Sequence, residues 1–470
     1  MLQKIISWIR GALSKMLHIN NAKRALKTDI AISNDMQAAI DTWTQMFRDQ
    51  AGWLDHNTQS LGLPSTIAGE IARLVTVEFE SEITGSPRAD YLQVEYRHVL
   101  DRLRINTEIA SAVGGIAFKP YVDGAHIVVD CVPAWRFLPT GYNSRGEVTG
   151  AVFVEQVTKG KTYYTRMEQH QLDNNGYTIR NYAYMSSSQS DLGTPCPLSA
   201  IDEWADLEPE INIKYKDGTV LDRPLFAYFR LPFANTVDPV SPLGVSVYSR
   251  AVGLIEQADK QYSRILWEYE GSELAIDATM DALRNVGQDG KLINMPERRK
   301  RLFRGLNIDR DGKDLYEVFS PAIRDSSLFN GLNQLLRRIE FNCYLSYGTL
   351  SDPNNIDKTA TEIKSSKQRS YSAVCDIQHS LQAALDHLVW AMDIYASLYN
   401  LAPAGEYELK CTWGDGVLED TDVEFVRRKA LADGNYITRE NFLAWYYGIS
   451  EKEAKKMMPK EEKPIEFGDE

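Results

Sequence analysis

Several features of common protein classes are missing from this sequence. Only five cysteines occur in 470 residues, and they form no C-x-x-C pair. Widely spaced cysteines in odd number indicate reduced thiols in a cytoplasmic protein, not a disulfide framework. No apolar run reaches the roughly 18–20 residues that cross a bilayer, so we expect no membrane span.

Motifs for phosphate and metal binding are also missing. Gly160-Lys161-Thr162 resembles the end of a phosphate loop, but Glu155 occupies the position of its first glycine. Asp309 to Gly312 resembles the start of a calcium loop, but the required later glycine and glutamate are absent. The sequence thus predicts a hairpin turn at Gly160 to Thr162, a turn at Asp309 to Gly312, and no cofactor.

Catalytic patterns are absent as well. The seven histidines are scattered without metal-ligand spacing, and there is no G-x-S-x-G nucleophile elbow. We therefore predict neither metal ligands nor catalytic residues, and a protein that is not an enzyme. A nuclease built only from carboxylates remains an alternative, because acidic residues are plentiful.

The charge limits how the protein can contact nucleic acid. The formal net charge is −13, with 43% hydrophobic and 25% charged residues, which is ordinary for a globular protein. An acidic chain does not grip DNA globally, so any contact must be local or weak. Residues 1–20 form an amphipathic segment, for which we prefer docking onto a partner or neighbouring subunit over a membrane surface.

Hydrophobic periodicity divides the chain into helical and strand-rich parts. Residues 33–105 are predicted to be helical, with a helix over 91–103. Strands at 116–119 and 126–130, joined by a turn at Asp123-Gly124, precede an antiparallel meander over 135–186. Ser241-Pro242 is predicted to begin the next helix, because serine caps helices and proline favours their first turn.

The most unusual stretch runs from Asp325 to Asn400. It predicts a helix, a polar loop rich in Gly, Pro, Asp and Asn, and a second helix that starts at a capping box, Thr359 to Glu362. At 1.5 Å per residue, the second helix would be roughly 60 Å long. An ordinary helix has only about 10–14 residues and is therefore much shorter. Such a rod indicates a structural spine.

Two basic features have two interpretations each. Arg298, Arg299, Lys300 and Arg301, with Arg304, either form a solvated surface or contact DNA or an acidic partner. Lys358 and Lys364, with Lys367 and Arg369, lie at the start of the long helix, where the helix dipole adds positive potential. They are either a solvent-exposed first turn or a place for transient phosphate contacts.

A series of short segments, in this order, resembles the portal proteins of tailed bacteriophages, most closely those of siphophages of Gram-positive hosts. The segments are Gly114-Gly115, Lys119-Pro120, Val132 to Pro139, Thr165 to His170, Asn181 to Ser186, Ser241 to Ser246, Thr359 to Lys364, Asp422, Leu431 to Gly434, and Ile437-Thr438. They extend over roughly residues 30 to 450.

The resemblance implies an α+β portal fold that assembles into a ring. On that template the chain divides into an N-terminal amphipathic segment (1–20), a mixed α/β wing (21–240, with the strand 407–413), a first stem helix (241–270), a small α/β clip (271–323), a second stem helix (324–346), a tunnel loop (347–358), a long spine helix (359–400) and a helical C-terminal crown (416–470).

The resemblance also implies a function and partners. A ring of about twelve subunits would occupy one capsid vertex of the virion, after assembly in the host cytoplasm. It would pass double-stranded DNA without sequence specificity, contact the major capsid protein, and dock the terminase and then the head–tail adaptor. Another virion connector, a minor capsid protein or a metal-dependent nucleic-acid enzyme are the alternatives.

We assign site residues on the same template. The tunnel loop and DNA channel are assigned to Ser351, Asp352, Asn354, Asn355, Lys358 and Lys364, with Asn354, Asn355 and Lys358 at the tip that faces the lumen. The clip rim, which would contact a partner or DNA, is assigned to Arg298, Arg299, Lys300, Arg301 and Arg304.

Overall fold

The fold mixes helices and strands, in agreement with the predicted α+β class. The structure, a computed structural model, describes residues 23, 25–26, 28–173, 176–215, 218–272, 275–279, 285–286, 292–293, 303–306, 316–319, 321–352, 360–414, 421–434, 436–447 and 449–457. For 275–279, 285–286, 292–293, 303–306, 316–317, 360–366, 421–424 and 451 it describes the backbone alone. The chain divides into two compact units, Met1–Thr412 and Trp413–Glu470.

Four helices begin the first unit: α1 (Asn34–Phe47), α2 (Leu63–Thr76), α3 (Pro87–Leu100) and α4 (Leu103–Val113). The helix predicted over 91–103 is confirmed as α3 for residues 91–100, but its predicted end is wrong. The backbone leaves helical geometry at Arg102 (φ −112°, ψ 5°), and a separate helix, α4, begins at Leu103. Within the region predicted to be helical, strand β1 (Glu80–Thr84) pairs antiparallel with β16 (Glu408–Thr412), which matches the predicted strand at 407–413.

A three-stranded sheet follows α4. Strand β2 (Gly115–Asp123) lies between β3 (His126–Pro133) and β10 (Ala227–Arg230), and all pairs are antiparallel. The predicted turn is confirmed at Gly124, whose φ is +62°. Gly114 has φ +95°, and a Cβ there would lie 2.3 Å from the backbone oxygen of Gly244. Only glycine therefore fits where α4 enters this sheet.

The predicted antiparallel meander is confirmed as a second sheet. Its strands pair in the order β4 (Phe137–Tyr142), β5 (Val148–Lys159), β6 (Thr162–Asp173), β7 (Gly176–Ser186), β8 (Thr194–Cys196), and β9 (Glu210–Ile213) also pairs with β7. Gly160 has φ +68°, which confirms the hairpin turn predicted at Gly160-Lys161. Short 3-10 turns occupy Ala134–Arg136, Leu198–Ala200, Asp202–Trp204 and Ser249–Ala251.

The first long helix of the middle region, α5, spans Val252–Gly271. The predicted start at Ser241 is wrong, since residues 241–248 form buried turns instead. Tertiary contacts override the local capping signal: the Val247 amide donates to the Ser111 oxygen of α4 at 3.0 Å. The Ser241 hydroxyl accepts from the Leu243 amide at 3.3 Å, two residues on, a turn rather than a helix cap.

Short strands follow α5. They are β11 (Ala275–Thr279), β12 (Asn285–Val286), β13 (Leu292–Ile293), β14 (Phe303–Leu306) and β15 (Tyr316–Phe319). β11 is central in a three-stranded sheet, parallel to β14 and antiparallel to β15. Strand β14, which carries Arg304, was not predicted. The sequence also predicts a short helix near 280–284, which lies outside the described residues.

Helix α6 (Asp325–Asn342) and the 39-residue helix α7 (Ala360–Leu398) confirm the predicted helix–loop–long-helix order. At 1.5 Å per residue α7 is about 58 Å long. Its middle is anchored to β10 and α2: the Ser380 hydroxyl donates to the Arg230 oxygen at 2.5 Å, and the Gln378 side-chain amide donates to the Val75 oxygen at 3.3 Å. The capping box predicted at Thr359 lies outside the described residues.

The second unit contains α8 (Thr421–Asp433), α9 (Arg439–Tyr447) and α10 (Glu451–Met457). The sequence predicts three short helices here, starting at Asp420 to Asp422, at Thr438 and at a capping box, Ser450 to Glu453, and all three starts agree with the structure. The capping box at Ser450 is confirmed, because the Glu453 amide donates to the Ser450 hydroxyl at 3.3 Å and the Ser450 amide to the Glu453 carboxylate at 3.1 Å.

Candidate functional site

The predicted tunnel loop starts with a sharp turn at the end of α6. Tyr344 takes the left-handed conformation (φ +60°), and Gly348 follows with φ +89°. The Leu345 amide donates to the backbone oxygen of Glu340, five residues earlier, at 3.0 Å. This turn is one residue wider than an α-helical turn, and the helix ends there. The chain thereby folds back along α6.

The side chain of Glu340 holds this turn. One carboxylate oxygen accepts backbone N–H groups from Gly348 (3.1 Å), Leu350 (2.6 Å) and Ser351 (2.8 Å). The other accepts the Ser351 hydroxyl at 2.9 Å. Glu340 is fully buried, so these four bonds replace its hydration. We call Glu340 with Gly348, Leu350 and Ser351 the Glu340 anchor.

A second contact continues the attachment. The Asp352 amide donates to the Asn333 side-chain oxygen at 2.8 Å. Asn333 precedes Glu340 by seven residues, so the two lie on the same face of α6, about two turns apart. Residues 348–352 therefore run back along α6, toward its N-terminal end.

The start of α7 closes over the same place. The Arg369 guanidinium lies 4.1 Å from the ring centre of Phe341 and 5.9 Å from that of Tyr347. Contacts of a cation with aromatic faces stabilise by about 0.5–2 kcal/mol, more when desolvated. Helix α6, the loop and helix α7 thus meet around one site.

The turn is also joined to the preceding core. The ring of Tyr344 stacks on Phe233 with centroids 4.6 Å apart and an interplanar angle of 5°. Its hydroxyl accepts a hydrogen bond from Arg250 at 2.9 Å. The position of the turn is therefore set by the segments around α5 as well as by α6.

Helices α5 and α6 pack side by side. Arg324 donates to both carboxylate oxygens of Glu268, at 3.0 and 2.8 Å. The Gln261 side chain donates to the Leu328 oxygen at 3.3 Å. Because the end of α5 contacts the start of α6, the two run antiparallel.

Asp259 holds the other end of α5. It is buried, and it accepts the Trp53 indole N–H and the Leu61 amide, each at 2.9 Å. Burial raises the pKa of this carboxyl, and the two hydrogen bonds partly offset the effect. The loop between α1 and α2 is thereby fixed to the helix.

Large apolar side chains remain exposed on the helix pair. Trp267 of α5 is 67% exposed and Phe329 of α6 is 46% exposed, with Ile323 and Tyr269 nearby in the sequence and also exposed. A Trp on the surface of a helix pair is typical of residues that pack against another protein.

The predicted site residues differ in how far the structure describes them: some have described side chains, some have only a described backbone, and the rest lie outside the described residues. Ser351 is buried and belongs to the Glu340 anchor, and Asp352 is exposed. Lys364 lies within α7 and Arg304 within β14, where only the backbone is described. Asn354, Asn355, Lys358 and the run Arg298, Arg299, Lys300 and Arg301 lie outside the described residues.

Sequence reasoning missed the residues that position the loop. In the sequence, Glu340 is one of several polar residues between the apolar positions of α6, and the pattern gives Asn333 no special role. The available signal was their spacing of seven, which puts two hydrogen-bonding side chains on one helix face ahead of a polar loop. Arg369 was interpreted only as a solvent-exposed or phosphate-contacting cation.

A charge network links the two large sheets. Glu168 of β6 accepts from Lys119 of β2 at 2.6 Å and contacts Arg166 at 3.2 Å and His170 at 2.8 Å. Burial alone would raise the pKa of Glu168, but Lys119, His170 and Arg166 hold it well below its usual value. Because Glu168 of one sheet pairs with Lys119 of the other, the network joins the two sheets.

A cleft of about 520 Å³ lies between the start of α3 and the end of α7. Its lining includes Arg88, whose Nε donates to the Pro403 oxygen at 3.0 Å and whose Nη2 donates to the Ser397 hydroxyl at 3.2 Å. The Nη1 nitrogen has no hydrogen-bond partner among the described residues, but it is fully shielded and out of reach of a ligand. Arg88 therefore joins α3 to the segment after α7.

Two searches of the described residues gave negative results. No group of three or more His, Cys, Asp or Glu side chains there is arranged to hold a metal ion. Among the helices of that part of the chain, none combines the length and apolarity needed to cross a membrane. Comparisons of the sequence with protein-family models and with curated proteins found no match.

Proposed function

We propose that this chain is a portal protein of a tailed bacteriophage. About twelve copies form a ring at one capsid vertex and enclose a channel for packaging and ejecting double-stranded DNA. The ring docks the terminase during packaging and the head–tail adaptor afterwards, and it contacts the major capsid protein. The chain itself catalyses no reaction.

The order of elements around the candidate site carries the proposal. Two antiparallel helices flank a small sheet, and a loop fixed to the second helix leads into a 39-residue helix. In the portal architecture, these parts correspond to stem, clip, stem, tunnel loop and spine. In a ring, this arrangement can place the loop of every copy at the same level along the channel, on a wall formed by the helices of all copies.

The charge balance supports the same function. A conduit must let DNA slide, and each tight phosphate contact adds to affinity and to its salt dependence. A formal net charge of −13 per copy opposes tight binding. A few local cations, such as Lys358 and Lys364, are enough for transient contacts.

Ring formation requires a surface that receives a second copy. We assign this role to the exposed apolar residues of the helix pair, Trp267 and Phe329, because an aromatic anchor buried at an interface contributes about 2 kcal/mol or more. Neighbouring copies in a ring would cover this face on every subunit.

The assembly state tests the proposal. Mass photometry and electron microscopy of the purified chain are expected to show rings of about twelve copies with a central hole. Trp267→Ser is expected to weaken each interface about 30-fold, which corresponds to about 2 kcal/mol, and to shift the population to smaller species. Val94→Ser is the matched control, because Val94 is also exposed but lies on α3. A closed oligomer without a channel would contradict the proposal.

A further inference from the structure

We infer that Glu340 is a positioning residue that supplies an internal anion, and that the turn 348–351 is ordered only around that anion. The inference begins with the donors. Three backbone N–H groups and one hydroxyl, all from a stretch of four residues, converge on one carboxylate. The Leu350 and Ser351 amides are successive and the Gly348 amide joins them, whereas the Thr349 amide donates to the Ser346 oxygen. Backbone N–H groups that converge in a turn form a concave nest that binds anions.

The nest takes its anion from the chain itself. Glu340 is fully buried, and the described residues include no ion pair between it and a basic side chain. The described contacts of the carboxylate are three backbone N–H groups and one hydroxyl, and each hydrogen bond to a charged oxygen is stronger than a neutral one. Removal of the carboxylate leaves four inward donors without an acceptor, so the turn must open.

The anion also fixes where the rest of the loop begins. Asp352 meets Asn333 about two helical turns from Glu340, so the five residues 348–352 follow the α6 surface. A shift or rotation of α6 would carry this stretch along as a unit. Asp352 is therefore held on the surface of α6, and this fixes the point at which the rest of the loop begins.

The consequence for DNA rests on the proposed portal function. If residues 347–358 face the channel, the nest would be a binding site for DNA phosphates, and Glu340 occupies it in their place. The loop could then touch DNA without holding it. The anchoring itself does not depend on this function, so it can be tested on purified protein without DNA.

Hydrogen–deuterium exchange with chemical rescue tests the inference. In Glu340→Ala, the amides of Gly348, Leu350 and Ser351 are expected to exchange about tenfold faster or more. Sodium formate should slow them again, because formate supplies a carboxylate of the right size to the vacated site. Formate should have no effect on the wild type, where the site is occupied.

Three variants separate an anion requirement from simple packing. Glu340→Gln keeps the shape and one acceptor oxygen, and is expected to show intermediate exchange without formate rescue. Glu340→Leu fills the space with apolar atoms, and its exchange should remain fast with formate. Gln334→Ala, on the exposed face of α6, is the control and should match the wild type.

Two results would overturn the inference. One is unchanged exchange of the three amides in both Glu340→Ala and Glu340→Gln. The other is a loop in Glu340→Ala that opens but does not respond to formate, while α5 and α6 stay protected. If rescue succeeds but no rings form, the anchor stands and the portal proposal fails.

Discussion

Two buried glutamates hold this protein together in different ways. Glu168 lies among cationic side chains from two sheets, with Lys119 at 2.6 Å and Arg166 at 3.2 Å. Glu340 is bound by three backbone amides and one hydroxyl of a single turn. The first carboxylate joins parts distant in the sequence, whereas the second gives a short loop its shape.

The difference bears on what each region can do. Loss of Glu168 leaves the buried Lys119 with only Asp130, at 3.6 Å, as an anionic partner among the described residues. Arg166 keeps Glu155 at 2.9 Å. The penalty therefore falls on Lys119 and, through it, on the stability of the whole unit. Loss of Glu340 leaves only hydrogen-bond donors of a turn near the surface, which can reach water by local opening. In the proposed portal, a stable region around Glu168 and a loop that can open locally would suit a channel whose wall must stay closed while its lining yields to DNA.

The largest effect is expected from Glu168→Gln. Neutralising this residue should lower the free energy of unfolding by about 3 kcal/mol, because the buried Lys119 loses its closest anionic partner and keeps only Asp130, at 3.6 Å, among the described residues. Urea unfolding of the purified protein measures the change. Glu210→Gln, at an exposed ion pair with Arg180, is the control and should leave stability nearly unchanged. Equal losses of stability in the two variants would show that the Glu168 network contributes no more to stability than an exposed ion pair does.

A compensating pair sharpens that result. Lys119→Met combined with Glu168→Leu removes the central charges together, and should recover at least about 1 kcal/mol relative to the sum of the two single changes. The same urea titration, arranged as a double-mutant cycle, gives the coupling. Strict additivity would mean that Lys119 and Glu168 do not interact.

The pH dependence of the wing follows from His170. Burial lowers the pKa of His170 below its ordinary value of 6.5, so the folded protein binds fewer protons than the unfolded chain. Stability should therefore fall as the pH drops below about 6.5 toward the folded pKa. His170→Gln should flatten this slope. A partial slope should remain, because burial also lowers the pKa of His387.

Below that pH range, the protonation of Glu168 determines how stability changes with pH. Its folded pKa lies well below the ordinary 4.5, so its contribution is complete above pH 4.5 and is lost as the pH falls through the folded value. Urea midpoints measured from pH 7.5 to pH 3 separate the two steps. An unchanged profile in His170→Gln above pH 5 would contradict the assignment of the first step.

The smallest effect is expected at the loop. Ser351→Ala removes one of the four donors to Glu340 and should cost about 1 kcal/mol, with faster exchange confined to residues 348–352. Thr349→Ala is the matched control, since the Thr349 hydroxyl is exposed and donates only to the Ser346 oxygen. If Ser351→Ala lowered the free energy of unfolding by about 3 kcal/mol or more, the loop would contribute as much to the stability of the fold as the Glu168 network does.

Elements with strong local signals could be predicted from the sequence. The meander, the hairpin at Gly124 and the long helix α7 follow from alternation, turn glycines and sustained helical periodicity. The predicted helix start at Ser241 failed because contacts with Ser111 and Gly114 override a sound capping signal. Strand β1 was missed because its partner, β16, lies more than 300 residues away.

The candidate site could be predicted only in outline. Polar and turn-forming residues located the loop, but nothing local identifies Glu340 as its anchor. A glutamate in an amphipathic helix has the same pattern whether it faces solvent or binds a turn. Its role arises from the left-handed turn at Tyr344 and Gly348, which brings the loop back onto the helix.

The most direct test of the proposed function is the position of the loop in the assembled particle. Cryo-electron microscopy of the purified assembly, at a resolution that traces helices, locates residues 347–352 relative to the symmetry axis. The portal proposal predicts a ring with α7 in its wall and these residues at the narrowest part of a central channel. A ring with the loop on its outer surface, or an assembly without a channel, would contradict it.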